Sequence, residues 1–128
     1  MLVHFPIALA LIAAGAEFLS IATRRPVWHL VALANVRAGA VFAAGAAVAG
    51  WIFALDAGSA SDGLELHRWL ALGATASLIA SAVLSTRWWV SPASRRFYRI
   101  FLFASALGIG VAAHVGATLV WGADFLHL

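Results

Sequence analysis

The chain has no cysteine, no lysine and a single methionine. Without thiols there are no disulfides, no thiolate metal sites and no iron–sulfur clusters. Haem attachment through a C-x-x-C-H motif is excluded for the same reason. One methionine does not make a soft-ligand copper(I) path. Charge is also scarce: only 10% of the 128 residues are charged, too few to cover a small soluble domain. All eight basic residues are arginine. They stand beside apolar runs, where membrane topology accounts for them and nucleic-acid binding does not.

What remains is apolar. The sequence is 64% hydrophobic with a mean hydropathy of +0.98. Its hydrophobic residues fall into four runs of about 20 residues, the length a helix needs to cross a hydrocarbon core of about 30 Å. This predicts an all-α fold: a single domain over 1–128 forming a four-transmembrane-helix bundle, with helices at about 2–22, 32–55, 64–86 and 97–121. The first run lacks a positively charged leader and reads as a span rather than a signal peptide. Thr23-Arg24-Arg25-Pro26 reads as its stop, and residues 27–35 as a short connector holding Trp28 and His29 at interfacial depth. The second span contains AGAVFAAGAAVAG, small residues that let helices approach closely in lipid. In the DAGSASDG turn, Asp62 and Glu65 have the spacing of an acidic capping box. Ser91-Pro92 breaks the chain between the third and fourth spans. All six tryptophans fall near predicted span ends, as an aromatic belt requires.

Arg24, Arg25, Arg37, Arg87, Arg95, Arg96 and Arg99 flank the first and third loops, whereas the opposite side has only Arg68 together with Asp56, Asp62, Glu65 and Asp124. The positive-inside rule therefore predicts cytoplasmic first and third loops. Both termini are expected in the periplasm, giving a multi-pass, N-out/C-out protein of a bacterial inner membrane.

His4, His67 and His114 belong to three different helices and fall near the same, outer end; His127 is in the outer tail and His29 lies on the opposite side. Ionisable groups in spans are costly and point to function. Two imidazoles from different helices are what haem b needs as axial ligands. Gly108, Gly110 and Gly116 surround His114, with Gly110 one turn away on the same face, and Ala71, Ala74 and Ala8 leave similar room near His67 and His4. Phe5, Trp69 and Trp121 are candidates for the walls of such a site, and Arg68 for a propionate partner. The structural alternatives stay open. Small residues also suit tight packing, a membrane histidine also serves as an interhelical hydrogen-bonding group, and Arg68 also reads as a snorkelling arginine paired with Glu65 or Asp124. A third reading makes His4, His67 and His114 metal ligands for zinc or copper(II), with Asp124 or Glu65 completing the set.

Glu17 is the one carboxylate deep in a span. Arg37 lies at comparable depth, which predicts a Glu17–Arg37 ion pair; a proton relay is the functional alternative. Ser77, Ser81 and Ser85 form a stripe suited to interhelical hydrogen bonds, or to a polar path. No G-x-S-x-G nucleophile motif and no phosphate-binding glycine loop is present.

Three segments carry a resemblance: L-V-H-F-P-I-A-L at His4, L-H-R-W-L-A-L-G at His67 and A-H-V-G-A-T-L-V-W-G at His114. Together they resemble a bacterial inner-membrane family of unknown function that forms four-helix units. Its members stand beside, or are fused to, c-type cytochrome domains and periplasmic quinoprotein dehydrogenases. The resemblance covers most of the chain and implies roles for His4, His67 and His114. Two departures are visible. Members often carry a further His-Pro before H-F-P, which this sequence lacks, and a G-H-x-G-G pattern where Ala113 and Ala117 stand here.

These readings converge on a membrane electron-transfer subunit. It is expected to bind haem b through two of the three histidines, the third serving a propionate or a quinone. Its expected partners are the lipid bilayer and other membrane or periplasmic redox subunits, with electrons passing to the quinone pool. It is not expected to catalyse substrate chemistry alone, although it fits as a subunit of a respiratory oxidoreductase. The alternative is a cofactor-free anchor subunit of a larger complex.

Overall fold

The structure, a computed structural model, describes residues 4–56 and 62–122. These form four α-helices, α1 (His4–Thr23), α2 (Pro26–Asp56), α3 (Asp62–Ser85) and α4 (Pro92–Trp121), each long and apolar enough to cross a membrane. They alternate in direction. Glu17, near the end of α1, meets His29 at the start of α2 and Arg99 early in α4. At the other end, His67 early in α3 reaches Ala112 late in α4.

The span count follows the sequence, but two boundaries do not. Residues 27–35, read as a connector, are helical from Pro26 onward. Proline at the first helical position loses no hydrogen bond and has a preset φ, so Pro26 starts α2 as well as stopping α1. Arg24 and Arg25 alone make the turn. Arg24 adopts a left-handed φ of 56°, and its N–H donates to the Ser20 carbonyl at 3.0 Å, closing α1 as a C-terminal left-handed residue does. Likewise α4 starts at Pro92 rather than near 97. Extended Ser91 is its N-cap, accepting from the Ser94 N–H at 3.1 Å. Asp62 is the first residue of α3 rather than its cap, so Asp62 and Glu65 act as first-turn acids that complement the helix dipole.

The core is built from small residues. Ala10, Ala13 and Ala14 of α1 cluster with Val36, Ala40 and Ala43 of α2, and with Leu78, Tyr98 and Leu102 of α3 and α4. Most large apolar side chains, among them Val41, Phe53, Leu107 and Val120, point outward. In lipid such an exterior is solvated, and close van der Waals packing between backbones holds the helices together. Gly39 marks the tightest part of the α1–α2 seam: a Cβ there would lie 3.3 Å from Leu9 Cβ and 3.7 Å from the Ala10 nitrogen. Gly39→Ala is expected to be near neutral, because helix propensity offsets the squeeze. Gly39→Leu is expected to cost about 1–3 kcal/mol by overpacking. SDS-driven unfolding in mixed micelles measures both.

Candidate functional site

Two polar centres occupy opposite ends of the bundle. The first is at the end where the sequence places His4, His67 and His114. His67 is half-buried and its Nδ1 lies 2.9 Å from the Ala112 carbonyl oxygen. A carbonyl only accepts, so Nδ1 carries the proton and the neutral ring keeps its lone pair on Nε2. Gly116, one turn beyond Ala112, makes this possible: a Cβ there would come within 2.9 Å of the His67 ring. His67 therefore packs closely against the backbone of α4, with its Nδ1–Cε1 edge nearest.

His114 and His4 face elsewhere. Ala112 and Gly116 address α3, and His114 stands two residues from each, about 200° around the helix; it is exposed. His4 is similarly offset from Pro6, which is buried on the core face of α1, and is also exposed. Among the described residues no group of three or more histidines, aspartates or glutamates is placed to hold a metal ion. Gly110, on the His114 face, is exposed with open space at its Cβ position. The Arg68 guanidinium lies over the Trp51 ring, 4.7 Å from its centroid, a cation–π contact at the bundle end. Asp124 and His127 lie outside the described residues. Trp69 helps line a groove of about 400 Å³ between α3 and α4, whose floor is Gly73, Ala74, Ala104 and Gly108.

The second centre lies at the arginine-rich end, and here the expected pairing is corrected. Glu17, fully buried, does not pair with Arg37. Its Oε1 accepts from Arg99 Nε at 2.8 Å and its Oε2 meets His29 Nδ1, also at 2.8 Å. Arg37 instead donates to Ser85, through Nε to the hydroxyl at 3.0 Å and through a terminal nitrogen to the carbonyl at 3.4 Å. Equal depth in the membrane does not fix which faces meet. Arg37 points to α3, whereas Arg99 projects from the core side of α4 beside Tyr98. His29 does not face lipid: α2 begins at Pro26, and the ring is buried in the bundle close to that helix end. Trp88 is likewise no belt residue: it is buried and stacked on His29 with ring centroids 3.7 Å apart. Tyr98 stands edge-on to both rings, at 6.0 Å from His29 and 5.2 Å from Trp88. The Arg99 guanidinium approaches Trp88 at 5.1 Å. Among the described residues, His29 Nε2 and the Tyr98 hydroxyl are buried without a hydrogen-bond partner. The serine stripe does bridge helices: Ser81 donates to the Tyr98 carbonyl at 3.3 Å and Ser85 receives Arg37. Ser77 lines the α3–α4 groove instead.

Residues 1–125 match the model of a family described as predicted membrane protein, DUF2231. The chain belongs to that family. No curated protein and no solved structure is significantly similar to it. The DUF2231 assignment agrees with the four apolar helices and places the outer surface of this member against lipid. It carries no activity with it. The sequence pointed to His4, His67 and His114 but gave little sign of the centre at the arginine-rich end, since His29 reads as a connector residue and Arg99 as one of several topological arginines.

Proposed function

We propose that this protein is a membrane electron-transfer subunit that holds haem b near the end bearing its termini, with His67 as one axial ligand. The observation that carries this reading is the Nδ1–H bond of His67 to the Ala112 carbonyl. A ligating histidine ordinarily donates its other ring nitrogen to a carbonyl or carboxylate, which fixes the tautomer and orients the ring. His67 has that bond already and keeps its Nε2 lone pair for iron. His4 and His114 stand on faces turned away from the core and from His67, so the reading takes the second axial ligand from a neighbouring redox subunit. Arg68, next in sequence to His67, is the propionate partner in this reading. Haem supplies the one-electron chemistry; the chain binds and orients it, between a periplasmic donor and the quinone pool of a bacterial inner membrane. The arginine-rich end is cytoplasmic in this arrangement.

The test is a dithionite-reduced minus oxidised spectrum of protein produced with ample haem and purified with its membrane partners. A b-type α-band that disappears in His67→Ala, in protein that still inserts, is the expected result. A colourless wild-type preparation, or an unchanged band in His67→Ala, overturns it. The second reading, a cofactor-free anchor subunit, is favoured by the groove of glycine, alanine and serine left open between α3 and α4, because small residues of this kind seat transmembrane helices. It predicts a colourless protein that copurifies with a membrane partner.

A further inference from the structure

We propose that the Glu17–His29–Tyr98–Arg99 cluster is a proton-binding site within the bundle, with His29 Nε2 as the atom that takes the proton. The inference does not depend on the haem reading, because the cluster lies at the opposite end of the helices.

Charge accounting leads to it. Arg99 is permanently protonated, and Glu17 receives both Arg99 Nε and His29 Nδ1 at 2.8 Å. These are the short distances of charge-assisted bonds to an ionised carboxylate. Glu17 and Arg99 thus neutralise one another. His29 needs only its neutral form to complete the arrangement, donating Nδ1–H to Oε2. Its Nε2 then holds a lone pair, buried, with no hydrogen-bond partner among the described residues. An unmet buried acceptor costs free energy, and native proteins rarely leave one so. The Tyr98 hydroxyl is in the same condition in the same cluster. These two unpartnered polar atoms beside a satisfied ion pair are the observation from which a second protonation state of His29 is inferred.

That state is reached by adding one proton from the adjoining aqueous phase to the Nε2 lone pair. No other bond in the protein is made or broken, and the counter-base remains in the water. The imidazolium keeps its Nδ1–H bond to Glu17 and lies with its face against Trp88 at 3.7 Å, a cation–π contact. Every element around the ring bears on the balance. Glu17 from α1 attracts the added charge. Arg99 from α4 and Arg37, farther along α2 and held by Ser85 of α3, repel it. Tyr98 of α4 supplies a neutral dipole and Trp88 a ring face. His29 stands only three residues into α2, so the proton has less than one helical turn to travel from the helix end.

The experiment is nitrogen-15 NMR of the full-length protein in nanodiscs with labelled histidine, recorded across the pH range in which the fold persists. His29→Gln identifies the His29 signals by their loss. If that variant does not fold, Tyr98→Phe identifies them by the shift that removing the neighbouring hydroxyl imposes. The expected result is a reversible shift of His29 Nε2 from the unprotonated to the protonated position while Nδ1 stays protonated throughout. A His29 Nε2 that keeps one protonation state at every pH, bare or protonated, overturns the proposal.

Discussion

Glu17→Leu is expected to destabilise the folded bundle by about 3 kcal/mol, the lower end of the range for breaking a buried ion pair by removing one partner. The lower end applies because the Arg99 side chain is 37% exposed and recovers part of its solvation by turning outward, whereas His29 does not. Glu17→Gln retains an acceptor for one of the two donors and is expected to cost about half as much. The cause is separable from simple loss of packing. If the cost comes from the stranded partners, adding Arg99→Leu to Glu17→Leu recovers much of it, because replacing a whole buried pair by apolar residues is often neutral or stabilising. SDS-driven unfolding of the two single variants and the double variant decides it. Strictly additive losses would show that Glu17 and Arg99 do not act as a pair.

This cluster also shows where sequence reading stops. The four helices were legible because the bilayer imposes one simple rule, a run of about 20 apolar residues, which the chain follows four times. The partner of Glu17 was not. Depth along a helix can be counted from the sequence, but the face is set by how four nearly uniform apolar helices rotate against one another. With alanine and glycine spread around α2, no stripe marks its inner face. Depth alone therefore singled out Arg37, and only the rotation of the helices brings Arg99 to Glu17 instead. The same degeneracy hid Trp88, one of two adjacent tryptophans at a helix end: Trp88 turns inward onto His29 while Trp89 remains exposed. Helix starts failed for a local reason. Pro26 and Pro92 were taken as breaks, and each is the first residue of the next helix.

At the end away from the arginines, the sequence singled out His67 without showing what holds it. Gly116 was noted only as a small residue near His114; in the fold it belongs to His67 of the facing helix. Gly116 is the position where one methyl group should matter most, and the expected effects change sign with their context. Gly116→Ala places a Cβ 2.9 Å from the His67 ring, so the ring must leave the Ala112 carbonyl. The net loss is about 1 kcal/mol, since a forfeited hydrogen bond and crowding outweigh a gain of up to about 1 kcal/mol in helix propensity. Gly116→Val adds branched bulk and is expected to cost about 2–3 kcal/mol. In a His67→Ala background the obstruction is gone, leaving only propensity, and Gly116→Ala should then stabilise the protein by up to about 1 kcal/mol. The same unfolding measurement made in both backgrounds reads the reversal. If Gly116→Ala costs the same with and without the imidazole, the glycine serves α4 alone and His67 is not seated on it. If the sign reverses, Gly116 is there to let an imidazole lie against the α4 backbone with Nδ1 tied to the Ala112 carbonyl.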